Sequence, residues 1–245
     1  MRVRLRALLA AVAVCAVLTP VSAAGGVVTN HPLVGLRHST STNWSGYAAY
    51  GKSGQYSTVS ATWVQPAVTC TSQSRYAAFW VGLDGYNTNT VEQLGTEADC
   101  TGGQAAYSAW YEMYPHWSVD ITSSFPVSPG RTYKATVSYA GGSNYVLSLD
   151  DLSSGGKHFS VTQKLASAKR ASAEIIAEAP WSSGVLPLAN FGTVNFSGST
   201  VNGAALGTFS PLDPMTMVDP NGGTATPSGL DAKTGQNFSI VWSNT

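Results

Sequence analysis

The chain has 245 residues, and its 13 Lys and Arg residues balance its 13 Asp and Glu residues. Charged residues make up only 11% of the chain, against about 25% in an ordinary soluble protein. No basic patch is dense enough to indicate nucleic-acid binding. There is no HExxH or CxxC motif, and the four histidines are scattered, at His31, His38, His116 and His158. We therefore expect no metal site, no cofactor and no nucleic-acid partner.

The first residues have the layout of a secretory signal peptide. Arg2, Arg4 and Arg6 form a basic region, an apolar run covers residues 7–18, and small residues follow. The apolar run is too short to span a membrane. We expect residues 1–23 to be removed and the mature protein to be secreted to the extracellular space, with no membrane attachment.

The remaining residues, about 220, suit one large domain. Residues 24–42 are polar and lack periodicity, which predicts a flexible leader or a short pro-segment, and the domain is expected over residues 43–245. Cys70 and Cys100 are the only cysteines in this part of the chain. An even pair in an exported protein predicts one disulfide, which closes a loop of about 30 residues and contributes about 3 kcal/mol.

Short alternating or apolar segments, separated by turn residues, predict strands along most of the chain. Nothing sustains a long helix, although residues 161–170 predict a helical turn and residues 220–233 a surface loop. Many strands with turns between them indicate an all-β fold, a β-sandwich of two large antiparallel sheets with a concanavalin-like architecture. The predicted strands are 56–64, 77–83, 105–114, 132–139, 145–149, 172–178 and 238–242.

Acidic and aromatic residues share faces of these strands. Because strand side chains alternate with a period of two, Trp110, Glu112 and Tyr114 lie on one face of their strand, and Glu174 and Glu178 share a face of another. The same count places Trp80 and Asp84 together. Acids on strands are usually only a solvated face, but this set also fits a concave, aromatic and acidic groove.

The pattern alone leaves the activity open. The chain has no GxSxG motif, no Asp-Thr/Ser-Gly loop and no free cysteine if the predicted disulfide forms, which excludes the usual serine, aspartic and cysteine protease signatures. A groove with carboxylates suits a carbohydrate-binding module or a glycoside hydrolase, with Glu112 and Glu178 as its acid pair, as readily as a peptidase.

Six segments together resemble the glutamic endopeptidase (eqolisin) family, as a secreted bacterial-type member. They occur in the family's order and at similar spacing. The resemblance implies a sandwich of two seven-stranded antiparallel sheets, in agreement with the predicted strands. The segments are NWSG at 43–46, VSATWVQP at 59–66, FWVGLDG at 79–85, EQLG at 92–95, AWYEMYP at 109–115 and AEIIAE at 173–178.

The resemblance also implies site residues. The family's catalytic glutamine falls on Gln93 and its catalytic glutamate on Glu178. Glu97 stands where the family usually has Asp, four residues after the glutamine, and we place it with the substrate-binding residues. The other positions that match the lining of the family's cleft are Trp80, Asp84, Trp110, Glu112 and Tyr114.

The function implied by this resemblance is an acid endopeptidase that hydrolyses polypeptides. Glu178 would act on water as general base and then as general acid, and Gln93 would stabilise the oxyanion. We expect a monomer with a polypeptide substrate. The alternative is a secreted carbohydrate-binding sandwich or a glycoside hydrolase that uses the same aromatic groove.

Overall fold

The computed structural model describes residues 29–32 and 39–244. The expected signal peptide, residues 1–23, lies outside these ranges. Within them the only helical element is a short 3-10 turn, Leu206–Thr208, and no helix is long and apolar enough to cross a membrane.

The described residues are dominated by β-strands. Strands β1 to β18 are, in chain order, Thr40–Ser41, Trp44–Tyr50, Thr58–Val64, Ala78–Leu83, Val91–Thr101, Gln104–Tyr114, Val119–Asp120, Thr132–Gly141, Asn144–Asp151, His158–Lys164, Ser172–Glu178, Trp181–Ser182, Gly184–Val185, Thr193–Val201, Ala204–Ala205, Leu212–Val218, Gly223–Pro227 and Phe238–Asn244.

The strands form two layers that share a continuous hydrogen-bonded path. One layer has the order β10-β9-β8-β3-β14-β18-β17 and the other β16-β2-β11-β4-β5-β6-β7. Strand β16 joins them because it pairs with both β17 and β2. Neighbours along the path are antiparallel, and the layers pack face to face, with β3 and β8 against β4 and β5. This arrangement confirms the predicted all-β sandwich.

The hydrophobic core lies between the layers, and strand alternation decides which residues enter it. In β11, Ile175 and Ala177 face the core, where they pack with residues of both sheets. Glu174, Ile176 and Glu178 point to the opposite face, and Ile176 belongs to a second, smaller apolar cluster there. The face assignment made from the sequence is therefore correct for this strand.

The predicted disulfide is confirmed. Cys70 and Cys100 are bonded with a Cα–Cα distance of 5.3 Å and a sequence separation of 30. The bond ties the loop after β3 to the end of β5, where Arg75 also pairs with the backbone of Cys100.

Two local predictions are wrong. Residues 161–170 do not form a helical turn, since 161–164 belong to β10, which pairs with β9 along its whole length. Phe159 and Val161 of this strand pack on the core, which is the period of two that a strand requires. Residues 220–233 are not only a loop, because β17 lies within them and pairs with β18. The sequence prediction also missed β2, β5, β14 and β16.

Three carboxylates are buried together near the end of β4. Glu92 and Glu174 have no hydrogen-bond partner for either carboxylate oxygen in the described part of the chain. Burial raises the pKa of both groups well above the ordinary 4.5, and repulsion from Asp84 adds to the effect. Since the protonated form of each acid is favoured in the fold, ionisation of these acids opposes folding.

We predict that the protein is most stable in acid. Below about pH 4.5 both acids are protonated in the folded and in the unfolded chain. As the pH rises from there towards the raised pKa of the folded state, the acids ionise first in the unfolded chain, so the folded protein loses stability. Glu92→Gln and Glu174→Gln should each flatten this decline in the thermal unfolding midpoint. Asp120→Asn, at an exposed position, is the control and should leave it unchanged. An equal decline in all four proteins would contradict the prediction.

Candidate active site

A cleft lies on the outer face of the second layer, across β11, β4, β5 and β6. Strand register brings its residues together: Gln93 lies opposite Glu112, and Gly95 lies between Trp80 and Trp110 on the neighbouring strands. Glu178 lies at the end of β11, opposite Ala78 of β4.

Two glycines make room for the floor of the cleft. A Cβ atom added at Gly95 would lie 2.6 Å from Cβ of Trp80, and one at Gly82 would lie 2.9 Å from its indole ring. A larger residue at Gly95 would also collide with the backbone carbonyl of Phe79 and so disturb the strand pair, whereas one at Gly82 would displace the Trp80 indole. The indole is fully buried and packs edge-on against Trp44, with ring centroids 4.7 Å apart.

Glu178 is fully buried and held by neutral donors on two sides. Trp80 donates its indole N–H to Oε2 of Glu178 at 2.7 Å. Asn43 donates its amide to Oε1 at 3.0 Å. These bonds fix the carboxylate so that one edge faces the cleft.

Gln93 is oriented by the acid on the neighbouring strand. Its Nε2 donates to Oε2 of Glu112 at 2.7 Å. The same Nε2 donates to the backbone carbonyl of His31 at 3.2 Å. In the described part of the chain Oε1 of Gln93, although buried, has no hydrogen-bond partner. One N–H of the Gln93 amide is therefore held by Glu112, and the other points at a peptide carbonyl.

That peptide is a part of the same chain, residues 29–32. Asn30 pairs with Trp181 through two backbone hydrogen bonds, of 2.8 and 2.9 Å. The backbone N–H of His31 donates to Glu112 at 3.1 Å. The carbonyl of Pro32 accepts from the Asn43 amide at 2.8 Å. Residues 29–32 therefore lie across the cleft in contact with the domain.

The His31 side chain is fully buried in the centre of the site. Its ring stacks on Trp110, with centroids 3.7 Å apart and planes 5° from parallel. Nδ1 lies 3.1 Å from Oε2 of Glu178. Nε2 lies 3.4 Å from Oε1 of Glu97 and 3.3 Å from the Thr29 hydroxyl. One imidazole thus bridges carboxylates from β5 and β11.

The charges in the site depend on one another. Burial raises the pKa of Glu178, while the charge of His31 lowers it. Burial also raises the pKa of Glu112 to about 8, against the attraction of His31. Burial lowers the pKa of His31. The charge of Glu178 and the hydrogen bonds to Glu178 and Glu97 outweigh burial, and together they raise the pKa of His31 to about 10. Below neutral pH the imidazole is therefore a cation.

The structure brings most of the predicted site residues together around His31, namely Trp80, Gln93, Glu97, Trp110, Glu112 and Glu178. Tyr114 lies farther along, where it lines a cavity of about 420 Å³ with Pro32 and Pro115. Within the described ranges, no group of three or more His, Cys, Asp or Glu is arranged to hold a metal ion.

Sequence reasoning missed two residues of the site, His31 and Asn43. The contact between His31 and Glu178 spans 147 residues of sequence, and no local pattern marks the histidine. Asn43 stands in the NWSG segment, whose position at the start of the domain was the only available signal.

The sequence of the domain matches the Peptidase A4 family over residues 42–239. The chain belongs to this family. The membership confirms the resemblance to the glutamic endopeptidases that six motifs indicated.

Two relatives from fungi are similar in sequence to this A4 family member. Scytalidopepsin B of Scytalidium lignicola is 31% identical over 173 residues, which make up 69% of this chain and 59% of the relative. Aspergillopepsin-2 of Aspergillus niger is 34% identical over 85 residues, or 34% of this chain and 30% of the relative. The chain thus matches less than two thirds of the length of either relative.

Solved structures from the family have the same fold. Scytalido-glutamic peptidase, in a crystal structure with a transition state analog inhibitor, superposes with a TM-score of 0.69 at 26% identity, covering 82% of this chain and 98% of that one. Aspergilloglutamic peptidase from Aspergillus niger superposes with a TM-score of 0.59 at 25% identity, covering 69% of this chain and 99% of that one.

Asp84 lies apart from the residues around His31, although it was expected in the cleft. Its backbone has a φ of 67°, which turns it out of the alternation of β4. Its buried carboxylate accepts hydrogen bonds of 2.6 to 2.8 Å from the backbone N–H groups of Lys169, Arg170 and Ala171. The side chain therefore fixes the loop before β11 and so the position of that strand.

We predict that Asp84→Asn lowers the free energy of unfolding by about 3 kcal/mol, because hydrogen bonds to a charged group contribute roughly 1.5–3 kcal/mol each and an amide cannot accept all three. Urea denaturation near pH 4 is the measurement, since the neighbouring buried acids are then protonated. Asp120→Asn, at an exposed position whose carboxylate accepts one backbone hydrogen bond, from Thr122, is the control and should lower stability by about 1 kcal/mol or less. A similarly small change for Asp84→Asn would contradict this role.

Proposed function

We propose that this A4 family member is a secreted acid endopeptidase that hydrolyses peptide bonds with Gln93 and Glu178. One observation carries the proposal. The Gln93 amide donates to the carbonyl of a peptide lying across the cleft, and Glu178 contacts the same residue of that peptide. An amide donor and a carboxylate thus converge on one residue of the peptide, the donor on its carbonyl and the carboxylate on its side chain.

Glu178 supplies the base. Hydrolysis without a nucleophilic side chain needs an activated water, and an ionised carboxylate within reach of that water removes its proton as the water oxygen bonds to the carbonyl carbon. The bonds from Trp80 and Asn43 hold Glu178 in one orientation. A fixed base requires little reorganisation as the reaction proceeds.

Gln93 stabilises the negative charge that develops on the carbonyl oxygen. Its Nε2 already donates to such an oxygen at 3.2 Å, close to the geometry that a tetrahedral oxyanion requires. The amide does not titrate, so it keeps its donors at low pH, where a second carboxylate would be protonated. Glu178, now protonated, then transfers its proton to the departing nitrogen as the C–N bond breaks.

The substrate that fits is an extended polypeptide. The leader enters beside Trp181, crosses the dyad and continues towards the cavity lined by Tyr114, so the cleft holds peptide on both sides of the reacting carbonyl. The relatives and solved structures described above are peptidases by name, and nothing in these comparisons supports the carbohydrate alternative.

We predict that the dyad is essential for cleavage of denatured protein between about pH 2 and pH 7. Gln93→Ala should reduce kcat by about 10²–10³, the effect of losing one oxyanion donor. Glu178→Gln should reduce it by at least about 10², since the general base is lost. Both variants should stay folded by near-ultraviolet circular dichroism.

Asp150→Asn, outside the cleft, serves as the activity control. Acid cleavage that persists at the original rate in either dyad variant would contradict the proposed mechanism. The inhibitors of serine, cysteine, aspartic and metallo-peptidases should have no effect on the unmodified protein, because the described part of the cleft holds no nucleophilic serine or cysteine with a base, no pair of aspartates and no group arranged to bind a metal ion.

Glu112 acts by positioning Gln93. Its carboxylate accepts the 2.7 Å bond that fixes the amide and lies directly across the strand pair from it. Without this acceptor the Gln93 side chain is free to rotate, and its N–H groups no longer point at the carbonyl.

We predict that Glu112→Ala reduces kcat by about tenfold or more, because Gln93 loses its orientation in the transition state, and also raises KM, because Glu112 accepts a hydrogen bond from the backbone N–H of the peptide in the cleft. The decisive comparison is the double variant. In the Gln93→Ala background, Glu112→Ala should have almost no further effect on kcat, since the group that it positions is gone. Additive losses would show that Glu112 acts independently of Gln93.

A further inference from the structure

One end of the cleft lies where its four strands meet the loops that join them. Strands β5 and β11 begin at Val91 and Ser172, and strands β4 and β6 end at Leu83 and Tyr114. The register places Leu83 opposite Ala173, and Val91 opposite Tyr114, so the four strand ends are level. The loops at this end therefore border the path that a peptide follows once it has crossed the dyad.

Two cavities follow one another along this path. The first, of about 420 Å³, is the cavity that Tyr114 and Pro32 line. The second has a volume of about 530 Å³, and both cavities are lined by Thr88, Asn89 and Pro115. A peptide that leaves the dyad through the first cavity therefore enters the second. The other residues that line the second cavity are Asn87, Thr90, Ser167 and Lys169.

Strand geometry indicates which residues of a substrate reach the second cavity. Val91 lines the first cavity and lies two residues before Gln93 in β5, and two strand residues span about 7 Å. An extended peptide covers this distance with its first two residues after the attacked carbonyl. The third to fifth residues therefore extend into the second cavity.

Lys169 is the only charged residue among those that line the second cavity in the described part of the chain. Its backbone N–H donates to Asp84 at 2.7 Å. Its carbonyl accepts from the backbone N–H of Gly54 at 2.8 Å and from the Ser53 hydroxyl at 2.9 Å. Its side chain is exposed and forms no salt bridge within residues 29–32 and 39–244. A fixed backbone thus carries an ammonium group that is available to a ligand.

The buried acids near the end of β4 do not line either cavity. The carboxylate of Asp84 is fully buried and accepts from backbone N–H groups. Burial raises the pKa of Glu92 and Glu174, which favours their neutral forms. The Arg170 guanidinium lies over the Tyr139 ring, 3.9 Å from its centroid. The ammonium group therefore sets the potential in the second cavity, which is positive.

Neutral polar groups form much of the wall around this charge. The Thr88 hydroxyl accepts from the backbone N–H of Gly85 at 2.9 Å and donates to the Thr90 carbonyl at 3.3 Å, which fixes the loop before β5. The amides of Asn87 and Asn89 on this loop are exposed. Amide N–H groups donate to carboxylate oxygens, and an ammonium group forms a charge-assisted hydrogen bond with them. The wall therefore suits a carboxylate.

We propose that the second cavity is a carboxylate-binding subsite of the cleft. Lys169 and the amides beside it bind an acidic group of the substrate, at the third to fifth residue after the bond that is cleaved. This group is an Asp or Glu side chain or the free carboxyl end of a short peptide, since both present the same carboxylate. Binding stands on the cavity and its charge, whereas the role in cleavage rests on the proposed function.

The first test compares kcat/KM for peptides with blocked ends and a single cleavage site. Glu, Gln or Lys is placed at the third, fourth or fifth residue after that site, and the full chain is assayed at about pH 5, where Glu is ionised. At one of these positions Glu should be preferred to Gln by about threefold, as for an exposed ion pair, and Lys should be disfavoured.

A second set of peptides tests the chain end as the source of the carboxylate. These peptides contain no acidic side chain and end at the third, fourth or fifth residue, with either a free carboxylate or an amide. If the chain end is bound, the free carboxylate should raise kcat/KM by about threefold at one length. Equal values for Glu and Gln at every position, together with equal values for both chain ends at every length, would overturn the subsite.

Charge reversal tests the lysine itself. Lys169→Glu leaves the backbone bonds of this residue in place and should reverse the preference, so that Lys is favoured over Gln. Lys233→Glu, at an exposed lysine outside both cavities, is the matched control and should keep the preference for Glu. In the unsubstituted chain the preference should disappear at about pH 3, where the substrate Glu is protonated. A preference for Glu that survives Lys169→Glu or persists at this pH would refute the pairing with Lys169.

A binding measurement separates this proposal from the proposed function. The full chain carrying Glu178→Gln is titrated by calorimetry with the Glu peptides and with their Gln counterparts at about pH 5. One Glu peptide should bind about threefold more tightly than its counterpart, and adding Lys169→Glu should remove the difference. This result without proteolysis by any variant would uphold the subsite and refute the peptidase function. Acid proteolysis with no preference for a carboxylate, in rate or in affinity, would uphold the peptidase function and refute the subsite.

Discussion

The site depends on the two-residue alternation of four adjacent strands, β11, β4, β5 and β6. Each of them packs one set of side chains into the core and presents the other to the cleft, so Ile175 and Leu94 fix the strands that display Glu178 and Gln93. A one-residue slip in any strand would drive its acid or amide into the core and expose its apolar residues. The burial of the core therefore fixes the dyad, although no core residue contacts it.

Burial of carboxylates is the second constraint, and the protein meets it in two ways. In the cleft, the carboxylates of Glu97 and Glu178 share one imidazole cation, which compensates the loss of hydration. Near the end of β4, Glu92 and Glu174 have no such cation, and their raised pKa values favour the neutral acids. The ion pairs with His31 keep charged carboxylates in the cleft. Protonation removes the charge from Glu92 and Glu174, which lie outside the cleft.

Alternation in the sequence was sufficient to place Trp110 with Glu112, and Glu174 with Glu178, because the period of a strand is a local property. The family resemblance supplied Gln93, since β5 was not predicted from its pattern, and the register that places Gln93 opposite Glu112 was not predicted. Asp84 departs from its predicted face because its positive φ ends the strand. His31 was beyond sequence reasoning, since its partners lie on strands far along the chain and a single histidine in a polar leader carries no periodic signal.

The segment of residues 29–32 lies in the cleft much as the substrate of the proposed reaction would. Its backbone makes the contacts to Gln93 and Asn43 that a productive peptide would need. What differs is the side chain, because His31 directs an N–H group at Glu178, and a side chain without that donor would leave the carboxylate to water. The imidazole thus occupies the carboxylate that the proposed reaction needs as its general base.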